Sequence, residues 1–341
     1  MSQIRHTDFK TICYFAAQED RMRRRFTLWG LMVILILAAL TDGFSQGDAV
    51  PAYFANSWLC PGSSAPRVDD YTTTGHDQLQ CQLEVEYTAT EAMVRSNGIP
   101  NHDFESTLGC CATEQNYLWI IPLHPMPDSD GQLERAPERG PVAVAVNGAA
   151  IYGPEDGPGG DAVALENGLY RETRQTIDLG ICGGHSGPGG VYHYHWDANC
   201  LHWHPDEARG QGFSDYSFEQ LNGSTHSPIV GFAFDGYPIY GIYGWDEKGE
   251  VKEMTSSYRL KANRGNGYNG IDDWEYVDGL GDLDECNGHF APTPEMPQGI
   301  YHYHTTRRNG EGGLGFPYFL LCYHGVADER NFRTAGGPPP R

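Results

Sequence analysis

Four histidines stand in two matched pairs, each inside the same tetrapeptide: Tyr192-His193-Tyr194-His195 and Tyr301-His302-Tyr303-His304. Two imidazoles at i, i+2 of an extended segment aim their nitrogens the same way, which suits a divalent transition metal. His185 and His289 close two further matched elements upstream, Cys182-Gly-Gly-His185 and Cys286-Asn-Gly-His289, and join the candidate ligands. Copper and zinc both suit imidazole, and the residue types do not choose between them. If the two copies meet about a pseudo-twofold axis, four histidines converge on one ion. Losing a histidine from either copy then empties the same site, and occupancy falls below about pH 6, where free imidazole protonates. The alternative is a buried hydrogen-bond network of tyrosines and histidines that only holds the core together. No residue is assigned a catalytic role. Gly184-His185-Ser186-Gly187-Pro188 lacks the last glycine of a nucleophile elbow. Asp278, Asp282, Asp284 and Glu285 do not follow the spacing of a calcium-binding EF-hand loop.

These histidines need elements to hold them. Strict alternation of aromatic and β-branched residues reads as a strand, with both histidines of a copy on one face and both tyrosines on the other. Val142 to Gly153 (VAVAVNGAAIYG) matches Val230 to Gly241 (VGFAFDGYPIYG), so three elements occur twice in the same order. In each, an alternating strand runs into Asn147-Gly148 or Asp235-Gly236, which reads as a two-residue hairpin turn with positive φ at both positions. The small residues among Val142–Val146 and Val230–Phe234 mark a face of close packing. Leu79 to Tyr87 and Tyr117 to His124 read as further strands. With 43 glycines and little helical periodicity, the expected fold is mostly β: one large disulfide-braced domain of two pseudo-symmetric repeats, sandwich- or barrel-like. We place this domain at 81–325, with repeat one at about 142–205 and repeat two at about 230–323. A linker with an ordered loop (42–80) precedes it, and a disordered tail (326–341) follows. Leu201-His202-Trp203-His204 has no counterpart in repeat two and reads as a surface loop.

The net charge of −22 disfavours phosphate backbones, so nucleic acid is excluded as a partner. The first 25 residues are locally basic and end in Arg21-Met22-Arg23-Arg24-Arg25, before an uncharged stretch at 26–41. That order keeps the N-terminus cytosolic and exports the rest, through a cleaved signal peptide or a signal anchor. The expected location is therefore extracytoplasmic, as a secreted or single-pass type II membrane protein. Membrane contact comes only through the N-terminal segment, if it stays uncleaved. Eight of the nine cysteines lie beyond it, an even number suited to an oxidising compartment. Cys182 with Cys200 and Cys286 with Cys322 would brace each histidine strand, one choice among the 105 pairings open to eight cysteines. Adjacent cysteines make strained partners, so Cys110 and Cys111 are each expected to pair elsewhere. Asn222-Gly223-Ser224 is a glycosylation sequon.

Several stretches resemble the YHYH-domain family. They include Ser96 to His102, Cys182 to His185, Gly190 to His195, His226 to Gly241, Leu283 to His289, Gly299 to His304 and Phe316 to Tyr323. The resemblance spans roughly 80–325 and implies a secreted or membrane-attached protein, and it carries no activity with it. Cys110-Cys111 departs from the pattern. A non-enzymatic reading also stands: a carbohydrate- or partner-binding module whose Tyr237, Tyr240, Tyr243 and Trp245 stack on sugars from an exposed face.

Overall fold

Valines and phenylalanines alternating with alanines and glycine build the centre of the molecule. The computed structural model describes residues 49–60, 65, 67–75, 78–173, 177–196, 200–202, 223–263 and 265–334. The basic segment, the apolar stretch 26–41, Asn222, Trp203, His204 and residues 335–341 lie outside them. No helix among the described residues is long and apolar enough to cross a membrane.

Three strands, β1 (Leu83–Tyr87), β2 (Glu91–Ser96) and β3 (Tyr117–Pro122), form an antiparallel sheet. The duplicated segments form eight more: β4 (Pro141–Ala145), β5 (Ala150–Tyr152), β6 (Gly184–Gly187), β7 (Val191–Tyr194), β8 (Ile229–Ala233), β9 (Pro238–Tyr240), β10 (Gly288–Ala291) and β11 (Ile300–His304). They make one sheet in the order β10-β11-β9-β8-β4-β5-β7-β6. Read from its middle outward, each half repeats the other. β8 and β4 pair antiparallel with Phe232 opposite Val144, Gly231 opposite Ala145 and Ala233 opposite Ala143. Val144 and Phe232 occupy matched repeat positions, so the pseudo-twofold axis passes through this pair.

The small residues answer to that seam. A side chain at Gly231 would come within 2.8 Å of the Ile151 side chain and of the Val144 carbonyl. Phe232 stacks on Phe54 with centroids 4.0 Å apart, and Trp119 stacks on Phe234 at 5.5 Å. Ser96 and Trp119 of the smaller sheet donate to the Gly148 carbonyl at 2.6 and 3.3 Å. Residues of both sheets share one apolar core. The fold is therefore mostly β and sandwich-like, with short helices and no closed barrel.

Several expectations need correcting. Asn147-Gly148 and Asp235-Gly236 are not two-residue turns. Ala145 N–H donates to Ala149 and Ala233 N–H to Tyr237, leaving three-residue loops in which only the glycines take positive φ, +86° and +91°. The Asn and Asp side chains instead accept from the amides two residues on. The core also begins before residue 81, with Tyr53, Phe54 and Val68 packed into it. The segment from 326 is packed as far as a short helix, Arg330–Thr334, where Asn331 bonds both the amide and the carbonyl of Ile120 at 2.7 Å.

Disulfides join Cys60–Cys81, Cys182–Cys200 and Cys286–Cys322, the last two as expected. Cys110 and Cys111 pair with each other, against the expectation that each pairs elsewhere. The other six cysteines beyond the N-terminal segment already take one another, so no outside partner is left. Four disulfides fit an oxidising, extracytoplasmic compartment.

Candidate metal centres

Each histidine cluster is assembled by a hairpin and an i+2 step. β6 and β7 pair antiparallel with His185 directly opposite His193, and β10 and β11 with His289 directly opposite His302. Directly paired side chains on one face of antiparallel strands come within contact distance, and His195 and His304 follow two residues on, along the same face. The result is two triads of rings. His193 Nε2 lies 3.1 Å from His185 Nε2 and 3.2 Å from His195 Nε2. His302 Nε2 lies 3.1 Å from His289 Nε2 and 3.1 Å from His304 Nε2.

The second nitrogens settle the proton positions. His193 Nδ1 contacts the Val191 carbonyl at 3.0 Å and His195 Nδ1 the Gly153 carbonyl at 3.1 Å. In repeat two, His302 Nδ1 contacts the Ile300 carbonyl at 2.9 Å and His304 Nδ1 the Gly241 carbonyl at 2.7 Å. A carbonyl only accepts, so each Nδ1 carries the proton and each Nε2 presents a bare lone pair. Burial holds the rings neutral: His185 and His289 are lowered to about 4, His195 and His302 to about 3. His193 and His304 lie well below the ordinary range, through burial first and the neighbouring histidines second. Two lone pairs therefore face one another in each triad with no proton between them.

A single cation between the rings would remove that repulsion. Two nitrogens at about 2.05 Å from one ion, subtending 90–110°, stand about 2.9–3.4 Å apart. The observed 3.1 and 3.2 Å fall in that interval. A ligating histidine ordinarily donates its other N–H to a carbonyl, as here. His185, His193 and His195 hold ligand atoms within 4.8 Å of one another.

The tyrosines on the opposite face do different work. Tyr194 donates to His102 Nε2 at 2.7 Å and accepts from Asn147 Nδ2 at 3.0 Å. Tyr303 donates to Asp235 at 2.6 Å and accepts from the His324 amide at 2.8 Å. At Tyr194 and Tyr303 donors meet acceptors, so these two tyrosines anchor a structural network.

The six histidines singled out in the sequence are brought together, but not as one site. β11 and β7 are separated by β9, β8, β4 and β5, five strand spacings or about 24 Å. The pseudo-twofold axis exists, yet it passes between the hairpins rather than between the histidine strands, so each copy builds its own cluster.

Other candidates are absorbed elsewhere. Cys182 and Cys200 lie near His102, and Cys110 and Cys111 near Asp70. Their sulfurs are in disulfides and offer no thiolate. Asp282 pairs with Lys252 at 2.7 Å, and Asp284 caps the amides of Cys286 and Gly288. His202, expected in a surface loop, is half-buried and bonds the Ile229 carbonyl at 2.7 Å. Tyr237 and Tyr240 are buried, and Tyr243 and Trp245 half-buried, so they form no exposed stacking face for sugars. One candidate ligand was missed: His226, whose ring lies 5.7 Å from that of His304. It sits just upstream of a matched strand but has no histidine counterpart in repeat one, so a repeat-based search passes over it.

A family model described as YHYH protein matches residues 118–325, more than half of the chain. No curated protein and no solved structure matches it.

Proposed function

The chain belongs to the YHYH protein family, and from that premise we propose that each Tyr-His-Tyr-His repeat binds one divalent transition-metal ion, copper or zinc. The observation that carries the reading is the opposition of bare lone pairs: His193 Nε2 against His195 Nε2 at 3.2 Å, and His302 Nε2 against His304 Nε2 at 3.1 Å. A structural network would place a donor against each acceptor, as Tyr194 and Tyr303 of the same strands do. Three neutral imidazoles leave an ion further coordination positions, open to water or to an exchangeable ligand.

The proposed setting is outside the cytosol. Four disulfides and the basic-then-apolar order of the N-terminal sequence support export, as a secreted protein or a single-pass type II protein. A C-terminal tag shielded from protease inside sealed microsomes is expected, and digestion there overturns export.

Metal analysis tests the function directly. Protein purified without chelator, or reloaded with copper or zinc, should carry two equivalents. Well under one equivalent, with no rise in melting temperature on adding either ion, overturns the reading.

A further inference from the structure

The two metal sites are matched in sequence but not in their surroundings. We infer that His226 supplies a fourth nitrogen to the repeat-two site, so that the two ions differ in coordination. This inference rests on the proposed function above.

His226 stands three residues before β8, and its ring is 8 % exposed. Its Nδ1 contacts the Ser227 carbonyl at 2.8 Å, so that nitrogen carries the proton and Nε2 is a lone pair. Nε2 is buried and has no hydrogen-bond partner among the described residues. An unsatisfied buried acceptor is costly and is rarely left without a function. The ring is clamped edge-on against Tyr240 at 4.9 Å and Trp245 at 5.0 Å. Held there, it places a ligand atom within 4.8 Å of ligand atoms of both His302 and His304. An ion held by those two histidines is the group that would satisfy it.

Among the described residues, repeat one has no equivalent. The repeats superpose bond for bond at this point: Gly153 N–H donates to Gly140, and Gly241 N–H to Pro228, at 3.0 and 3.1 Å. That register sets His226 against Glu138, which is exposed. The repeat-one ion therefore has three protein nitrogens and keeps a position for an exchangeable ligand. The repeat-two ion has four and is closed. The first is the site suited to chemistry or to handing metal on, the second to holding it.

Copper(II) titrated into the full protein separates the two. His193→Ala leaves two histidines in repeat one, and so only the repeat-two site; His302→Ala/His304→Ala leaves two in repeat two, and so only the repeat-one site. Electron paramagnetic resonance should count four nitrogens in the first variant and three in the second. Added azide should shift the spectrum of the second alone. His226→Ala, placed in the His193→Ala protein, should lose one nitrogen and roughly tenfold or more in copper affinity. Placed in the His302→Ala/His304→Ala protein, it should change neither. If the combined variant fails to fold, the nitrogen count of the His193→Ala protein still decides, since His226 is intact there. Three nitrogens in both single-site proteins overturn the inference and leave the two-site reading standing. No copper in either overturns both.

Discussion

Tyr303 donates a 2.6 Å hydrogen bond to the buried carboxylate of Asp235, where the matched Tyr194 meets the amide of Asn147 at 3.0 Å. The same backbone position thus anchors the tyrosine face of both repeats, once with a carboxylate and once with an amide. Asp235 also accepts from the amides of Gly325 and Tyr237 at 3.0 and 3.2 Å. Burial still pushes it up to about 6 against those bonds. Asp235→Ala should cost about 2–4 kcal/mol by stranding Tyr303 Oη and two buried amides. Asp235→Asn, which copies repeat one, should cost less than half as much. Chemical denaturation compares the two, and equal losses would show that the anchor is not what matters.

Because the triads are about 24 Å apart, histidine substitutions should act independently. His193→Ala should remove one equivalent of metal and His302→Ala/His304→Ala the other, with the combined variant empty. Equilibrium dialysis followed by elemental analysis reads this. Loss of both equivalents from either variant alone would restore the shared site expected from the sequence.

Metal should persist well below pH 6. In the unfolded chain imidazole protonates near 6.5, but burial lowers His185 and His289 to about 4 and His195 and His302 to about 3. Half-release of copper or zinc is therefore expected nearer pH 4 than pH 6. The same shifts set a stability trend in the metal-free protein. A lowered histidine contributes stability in full above about pH 6.5, and that contribution is lost as pH falls toward 4. Glu155 and Asp161, pushed up to about 7 by burial, act with the opposite sign, losing stability as pH rises through 7. The histidine part is isolated by comparing melting temperatures of wild type and His185→Gln/His289→Gln from pH 7 to 4. The gap should narrow as pH falls, and a constant gap contradicts the assignment.

Each brace should matter to its own cluster. Cys182–Cys200 and Cys286–Cys322 close loops with sequence separations of 18 and 36, for which chain entropy gives about 3–4 kcal/mol apiece. Replacing one pair with serines should lower stability by that order and weaken metal binding in the same repeat only. Weakening of both sites equally would mean that the brace acts on the whole sheet.

The C-terminal boundary is testable by truncation. Ending the chain after 334 should leave the melting temperature within a degree or two. Ending it at 326 removes Asn331 and Phe332 from the core and should cost several kcal/mol. Asn331→Ala alone should cost about 2 kcal/mol, since it leaves the amide and carbonyl of Ile120 without partners.

The sequence alone determined what depends on local periodicity. Alternation in Tyr192–His195 and Tyr301–His304 sorted tyrosines from histidines, because side chains on a strand change face at every residue. Matched spacing revealed the duplication and included His185 and His289 among the candidate ligands. Cys182–Cys200 and Cys286–Cys322 were one choice among 105, made because each would brace a histidine strand, and both bonds form. What it could not determine was where the symmetry axis lies. Two strands that share a pattern can pair with each other or sit at opposite flanks, and periodicity is identical in both cases. Packing decided it: Gly231, Ala143, Ala145 and Ala233 let β8 and β4 come together at the centre, which sends the histidine strands outward. His226 was hidden for a related reason. Its proximity to His302 and His304 is created by β8, β9 and β11 lying side by side, a contact between residues far apart in the chain that no spacing rule records.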